Sequence, residues 1–557
     1  MIFAINFLAK AEYAPGEPGG PWTRDELLVV RAKLWSLMID GRAQHLCKEL
    51  KDSRPMADEL DKKWINKGLQ FFPAKLLRLG FHDCLKYKDG SGGCDGCLNW
   101  AGMNTRFQVG KFEFKYDDIK EGNNNGLEFT VAMLEMVYTD KDFPYHNAPS
   151  LPESLKASGK SRADLWAYAA KVAVEYSIER NNFHCENKPN DDEWSGSFIG
   201  PSEDCQRLLN DDQCKLILER EITFRYGRKD CIPDDLEHPY KTSKHEKHPN
   251  PEGNGDNTLD FFKSEFNFSG RESVAIMGAH TLGKMTQEHS LLKYSWTSRG
   301  GHIFNNGYYR NIVDEKAWFI ESKDNNSCDE IGDADGNMPD IKWVPTMNGF
   351  TISGGPMHWI RFHFACPNCL NKVSNNEFFE NQWNTCCNEK PEDKMCIPDG
   401  KKGNEYEDWN IHGCERYRFA NGLDDMAINA EMGLYLQFDQ VNGIPVVGAN
   451  GTCLGLKDFN MNKWMESNKS RNKYRRAWDH GCGLNMRREP ENDKPVSSYF
   501  NIYAENQATW VKDFTQTFEK MAQNGYQDLD LTDAPKSWEN VFCRKTGEGM
   551  KIECTEN

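Results

Sequence analysis

Apolar residues recur with a helical period along much of this chain. Leu27, Leu28, Val30, Leu34, Leu37 and Met38 form one stripe and predict an amphipathic helix over residues 25–40. Similar spacing predicts helices over 73–86, 126–138, 161–177, 206–221, 273–285 and 505–524. Alternation of the strand type is scarce, and no repeat of fixed period is found. The fold class expected is therefore mainly α.

Two stretches break the pattern, 314–422 and 443–498, both rich in turn-forming residues. Loops of that length in a compact domain are functional insertions or stapled subdomains. Cys366, Cys369, Cys386, Cys387, Cys396 and Cys414 fall in the first, which is read as a disulfide-tied insertion. The expected organisation is an N-terminal segment 1–24, a core over 25–313, 423–442 and 499–530 interrupted by the insertions 314–422 and 443–498, and a C-terminal tail 531–557. The loop that begins at Cys231 and contains His245-Glu246-Lys247-His248 reads as irregular surface.

Composition narrows the partners. With 68 Lys and Arg against 85 Asp and Glu the formal charge is −17, which argues against nucleic acid and anionic membrane surfaces. No run approaches the length of apolar sequence needed to span a bilayer. Nineteen cysteines, with N-x-S/T acceptors at Asn267, Asn325, Asn450 and Asn468, favour a secreted protein. The opening MIFAINFLAKA, ending in Ala9-Lys10-Ala11, reads as the remnant of a signal peptide.

The densest chemistry lies in RLGFHDC, residues 78–84. On a helix Arg78 and His82 share a face, while Asp83 points about 100° away. A second histidine, His280, lies in the apolar SVAIMGAHTLGKM, where Gly278, Ala279 and Gly283 leave room for something bulky. Two apolar helices, each with one histidine, suit a flat redox cofactor between them, one histidine ligating and the other acting on substrate. CDGC and CPNC are too far apart and too oxidising in context to read as a zinc site, GDADGN reads as a polar turn, and HEKH lacks zincin spacing.

Eight blocks then place the resemblance. LLRLGFHDC and VAIMGAHTLGKM resemble the distal and proximal signatures of the plant, fungal and bacterial haem peroxidase superfamily. NNGL (124–127), SRADLWAYAAKVAVE (161–175), FRYGRKD (224–230), WTSRGGHIFNNGYY (296–309), NAEMGL (429–434) and YAENQATWVKDFTQTFEKM (503–521) are similar to further blocks in the family's order. The resemblance implies two helical lobes sandwiching one haem b. It also implies a peroxidase that reduces hydrogen peroxide through ferryl intermediates and oxidises small phenolic or aromatic donors.

Carried over by resemblance, His82 is the distal base, Arg78 its cationic partner, Asn124 the asparagine that orients His82, and Phe81 the distal phenylalanine of secreted enzymes. Asp118 stands for the glutamate that precedes that asparagine. His280 is the axial iron ligand, and Glu431 stands where the family has an aspartate that accepts from that ligand. Trp296 matches the proximal tryptophan of ascorbate and cytochrome c peroxidases, so the chain is a hybrid. Asp83, the Gly93 carbonyl and Asp95 imply a calcium site, with a Cys84–Cys94 disulfide closing its loop and Cys97 where a serine ligand is usual. Thr281 and Thr297 match ligands of a second cation site, but Arg299 and Asn305 do not, and no cation is assigned there. His289 replaces the ascorbate-binding arginine, which argues against ascorbate as donor. The competing expectation is an extracellular structural or binding protein on the same fold, with the insertions meeting a protein partner; a specialised oxidase or peroxygenase using the same haem is another.

Overall fold

The computed structural model describes residues 15–39, 72–100, 107–109, 112–114, 123–124, 126–144, 148–186, 215–218, 222–233, 239–251, 253–284, 296–297, 303–313, 318–321, 358–361, 425–437, 439–441, 444–446, 474–476, 483–488, 494–535, 541–546 and 551–556. The fold is mainly α. Its described helices are α1 (Arg24–Ile39), α2 (Phe72–Asp83), α3 (Glu128–Thr139), α4 (Arg162–Glu186), α5 (Gly255–Phe266), α6 (Gly270–Met277), α7 (Gly307–Val313), α8 (Asn429–Tyr435), α9 (Val496–Glu505) and α10 (Gln507–Met521). None among the described residues is long and apolar enough to cross a membrane.

Local chemistry sets the helix ends. Thr23 and Glu26 exchange hydrogen bonds at the start of α1, and Ser269 and Glu272 do the same at α6. The helix expected to stop at Ser177 runs on to Glu186, because the Ser177 hydroxyl donates back to the Ala173 carbonyl at 2.8 Å instead of ending the helix, and Ile178 and Asn181 beyond it are buried. The helix expected over 505–524 is observed as α10, Gln507–Met521. Asn506 leaves helical geometry and its side chain accepts from Thr509 N at 3.0 Å, closing α9 and starting α10. Of the helix expected over 206–221, residues 215–218 are described and are not helical. The α5 helix was not expected; Asn254 and Asn257, at the end of the loop read as irregular, form its capping box, and Leu259, Phe262 and Phe266 make its buried stripe.

Two apolar clusters fill the molecule. One gathers α1, α3 and α4 around Trp22, Trp35, Trp166 and Tyr176, and the other gathers α5 to α10 around Phe262, Tyr309, Trp510 and Phe514. Helix α2 lies at their boundary, with Leu76 and Leu79 in the first and Leu77 in the second. Its Gly80 is there for closeness: a Cβ at that position would lie 2.5 Å from the Ala170 Cβ of α4. Gly278 is small for a similar reason, since a Cβ there would meet Trp510 Nε1 and Tyr309 Oη at 2.5 Å. The bulky groups that approach it closely are protein side chains.

Buried ion pairs join the 161–175 block to the 224–230 block. Arg162 binds Glu135 through Nε at 2.7 Å and Nη2 at 3.1 Å, and Asp230 accepts from the backbone N–H groups of Arg162 and Ala163. Asp164 accepts from Arg228 Nη1 at 2.9 Å and from the N–H of Gly227. Both partners of this second pair are essentially inaccessible. Asp164→Ala leaves a buried guanidinium without its counter-ion, and chemical denaturation is expected to show a loss of about 3–5 kcal/mol.

The insertions are not wholly irregular. Trp318–Glu321 and His358–Arg361 from the first pair with each other, Tyr474–Arg476 from the second joins the outer side of the former, and Asp425–Ala427 of the core completes a four-stranded antiparallel sheet. Gly483–Leu484 pairs with Leu436–Gln437 just after α8. The cysteines of the first insertion lie outside the described residues. A C-terminal hairpin, Val541–Thr546 with Lys551–Glu556, was not expected from the sequence pattern.

Candidate active site

Helix α2 projects Arg78 and His82 from one face, four residues apart. Arg78 Nε lies 3.4 Å from His82 Nε2, and Arg78 Nη2 donates to the Asn123 carbonyl at 2.7 Å. The protonation of His82 follows from its neighbours. Asn124 Nδ2 donates to the Asn99 carbonyl at 2.6 Å and to Glu246 Oε1 at 3.2 Å, so the amide oxygen is the atom that faces His82 Nδ1 at 2.8 Å. An amide oxygen only accepts, so Nδ1 carries the proton and Nε2 keeps its lone pair. Burial, then the Arg78 and His248 charges, hold the His82 pKa well below the usual histidine value. Burial also lowers Arg78, to about 10, which leaves it cationic at neutral pH.

Glu246 and His248 are the residues that sequence reasoning missed. The stretch read as loop surface instead places Glu246 in the interior, where Oε1 also accepts from Asn99 N at 2.7 Å. His248 sits with its ring 5.0 Å from that of His82 and its Nε2 3.7 Å from Glu246 Oε2. Asp118, expected to be the carboxylate behind Asn124, lies outside the described residues; Glu246 is the carboxylate seen there. The available signal was modest: 246 and 248 are alternate positions of an extended run and share a side of it. Phe81 is half-buried, with its ring 5.9 Å from that of His82 and 5.7 Å from that of Phe266.

Past α2 the chain turns back through two disulfides, Cys84–Cys94 and Cys97–Cys231. The second one removes Cys97 as a ligand. Asp83 Oδ1 accepts from Gly96 N at 2.7 Å, while Oδ2 is buried with no hydrogen-bond partner. Asp95 accepts from the Tyr87 hydroxyl at 2.8 Å and from Cys97 N at 3.2 Å. Burial pushes both carboxyl groups upward, with the Asp95 charge adding to the rise at Asp83 and the Asp230 and Glu246 charges to that at Asp95. Among the described residues no three His, Cys, Asp or Glu side chains form a metal cluster, so further oxygens would have to come from the backbone, as at Gly93.

On the other side, His280 lies in the single 3₁₀ turn Gly278–Thr281 that follows α6. Its Nδ1 is 2.6 Å from Glu431 Oε1, and Glu431 Oε2 accepts from Ile428 N at 2.8 Å, which fixes the carboxylate at the start of α8. Trp296 stacks on His280 with centroids 4.3 Å apart and planes 6° from parallel. Thr281 and Thr297 spend their hydroxyls on the carbonyls of Ile303 and Thr281. Arg299 and His289 lie outside the described residues. Glu431 is fully buried, yet the His280 side chain is 35% exposed. With Nδ1 committed, the other nitrogen, Nε2, is available to a ligand. A partly open imidazole backed by a buried carboxylate is the donor that an axial metal position requires, and the residues present therefore fit haem.

A carboxylate-backed open histidine and a second histidine beside an arginine are the kinds of side chain that could serve a haem, and the comparisons with known proteins bear on that reading. The model of the family described as peroxidase matches residues 57–325. The chain is 32% identical over 104 residues to the mitochondrial cytochrome c peroxidase of Candida glabrata, covering 19% of this chain and 27% of that protein. It is 23% identical over 243 residues to a protein of Debaryomyces hansenii named as a heme-binding peroxidase, covering 43% of this chain and 39% of that protein. The chain thus spans well under half the length of either relative. Over residues 57–325 the chain is similar to the peroxidase family.

Proposed function

We propose that the protein is a haem peroxidase that reduces hydrogen peroxide to water and oxidises small phenolic or aromatic donors. The observation that carries the reading is the pairing of a neutral, Asn124-oriented His82 beside Arg78 with a Glu431-anchored His280. Haem b, when bound, supplies the iron at which the peroxide bond is broken and the store of oxidising equivalents. His82 Nε2 takes the proton of peroxide and returns it to the departing oxygen, so that water leaves. Arg78 stabilises the negative charge that develops on that oxygen. His280 Nε2 would hold the iron of a bound haem, with Glu431 making the imidazole a stronger donor. Trp296, stacked on His280, is placed to lend an electron. Phe81 narrows the peroxide side against the Phe262 and Phe266 rings.

The test is a stopped-flow absorbance trace of haem-loaded protein mixed with one equivalent of peroxide, followed by 2-methoxyphenol. A Soret band that shifts and is restored by the phenol supports the reading. A band indifferent to peroxide overturns it and leaves the structural or binding role.

The loop holding Asp83, Gly93 and Asp95 is proposed to bind Ca²⁺, supported by the Asp83 oxygen left without a partner in a buried acidic setting. Chelator is expected to lower the unfolding temperature, with restoration by Ca²⁺ and not by Mg²⁺; an unchanged melting curve with no bound Ca²⁺ in a metal assay sinks the site. The disulfides also support secretion into an oxidising compartment, and the core and insertion boundaries 25–313, 423–442 and 499–530 are kept as part of the proposal. Culture medium and cell fractions, probed for the chain, decide the location.

A further inference from the structure

His82 has no nitrogen to spare. Its Nδ1 donates to the Asn124 oxygen at 2.8 Å, and its Nε2, 3.4 Å from Arg78 Nε, is the atom that serves peroxide. Burial and the neighbouring charges also hold it well below the ordinary histidine value, so it keeps a proton poorly. The other half of the reaction releases protons too, because a phenol that gives up an electron becomes a strong acid and sheds its hydroxyl proton.

The stretch that carries Glu246 into the interior brings a second imidazole to this place. The His248 ring lies 5.0 Å from that of His82, with the planes 58° apart. Its Nε2 is buried, makes no hydrogen bond, and lies 3.7 Å from Glu246 Oε2. A buried ring nitrogen without a hydrogen bond costs stability, so packing alone does not account for it. Glu246 is already tied to the peroxide side, since its Oε1 accepts from Asn99 N at 2.7 Å and from Asn124 Nδ2 at 3.2 Å. A carboxylate beside Nε2 favours the imidazole proton there, which leaves the lone pair on Nδ1. The His248 side chain is 12% exposed, so a solute can reach it.

Resting on the peroxidase reading above, we propose that His248 is a further catalytic residue, the base that receives the hydroxyl of a phenolic donor and takes its proton. The O–H bond of the donor breaks. Its electron goes to the peroxide-oxidised haem and its proton to His248 Nδ1, where the Glu246 carboxylate faces the new positive charge. The proton then passes by way of His82 to the remaining peroxide oxygen. Two donors supply the two electrons and two protons with which that oxygen leaves as the second water, and each donor departs as a phenoxyl radical. The two histidines thus divide the work: His82 moves the proton of peroxide, and His248 takes the proton of the donor.

The test uses haem-loaded full-length protein and two reductants: 2-methoxyphenol, which yields a proton with its electron, and ferrocyanide, which yields an electron alone. In His248→Gln, which keeps an acceptor oxygen but cannot hold the proton, the oxidation rate of 2-methoxyphenol relative to that of ferrocyanide is expected to fall about 10²-fold, the lower end of what a positioned base contributes. A second measurement needs no turnover. Titration of the resting protein with 2-methoxyphenol, followed at the Soret band without peroxide, is expected to show binding weakened about three- to tenfold in His248→Leu, the loss of one hydrogen bond. An unchanged rate ratio in His248→Gln, or unchanged binding in His248→Leu, overturns the proposal while leaving the peroxidase reading intact. A Soret band that ignores peroxide in the unsubstituted protein overturns both.

Discussion

His82→Leu is expected to slow the reaction of the haem-loaded protein with hydrogen peroxide by about 10²–10⁴-fold, the range that a positioned acid–base group contributes. Leucine is close to histidine in size, so the packing of α2 against its neighbours has little reason to change, and the Soret band of the resting protein should persist. Stopped-flow traces at several peroxide concentrations give the second-order constant directly. A loss below tenfold would mean that another group takes the proton, and His248, with its ring 5.0 Å away, is the group to substitute next. The pH profile carries a second check. Because burial and the adjacent cation hold His82 well below its ordinary value, the imidazole stays neutral through pH 6.5, and the acid loss of rate falls below that pH. The same shift acts on stability: the unfolded chain takes up this proton near pH 6.5 and the native chain does not, so this contribution to stability is present above that pH and declines as pH falls toward the native value.

Glu431→Gln is the proximal counterpart, with a loss of about 10–100-fold expected in activity or haem affinity, the usual effect of removing an anionic partner from a ligating histidine. Glutamine keeps length and can still accept, but it cannot carry the charge that makes His280 a strong donor. Haem titration followed at the Soret band separates the two effects. His280→Ala, which removes the ligand itself, should disturb the Soret band of the bound haem or abolish binding. If Glu431→Gln binds haem and turns over as the unsubstituted protein does, then the 2.6 Å contact is structural and the electronic role assigned to it is wrong.

Much of this site was legible because its parts lie close in sequence. Arg78 and His82 stand one helical turn apart, so their juxtaposition follows from the period of the α-helix alone. Cys84 and Cys94 are bridged across a short loop, which local geometry also favours. The α6 segment could be seen from its apolar pattern, although Gly278 turned out to make way for Trp510 and Tyr309. Asn506 was less visible, since an asparagine inside a helical pattern can be a poor helix former or a new cap, and only the direction of its side chain decides.

Glu246 shows where the reading stopped. It lies 122 residues from Asn124, in a charged stretch where its alternation with His248 is a weak local mark of an interior position. Cys97 and Cys231 are 134 residues apart, and the cysteine looked like a weak substitute for a cation ligand until its partner was seen. The insertions looked irregular because strands of three or four residues leave too short an alternation to detect, and they are held by pairing with each other rather than by their own pattern. The sequence by itself determined the helical class, the Arg78–His82 face and the presence of a second histidine in an apolar segment, because each is written in contacts within a few residues. The tertiary structure alone decided which carboxylate backs Asn124 and which cysteine Cys97 pairs with, whereas Glu431 was expected beside His280 from the resemblance. Those contacts join residues far apart in the chain, and which pairs meet is set by the packing of whole helices rather than by any local preference.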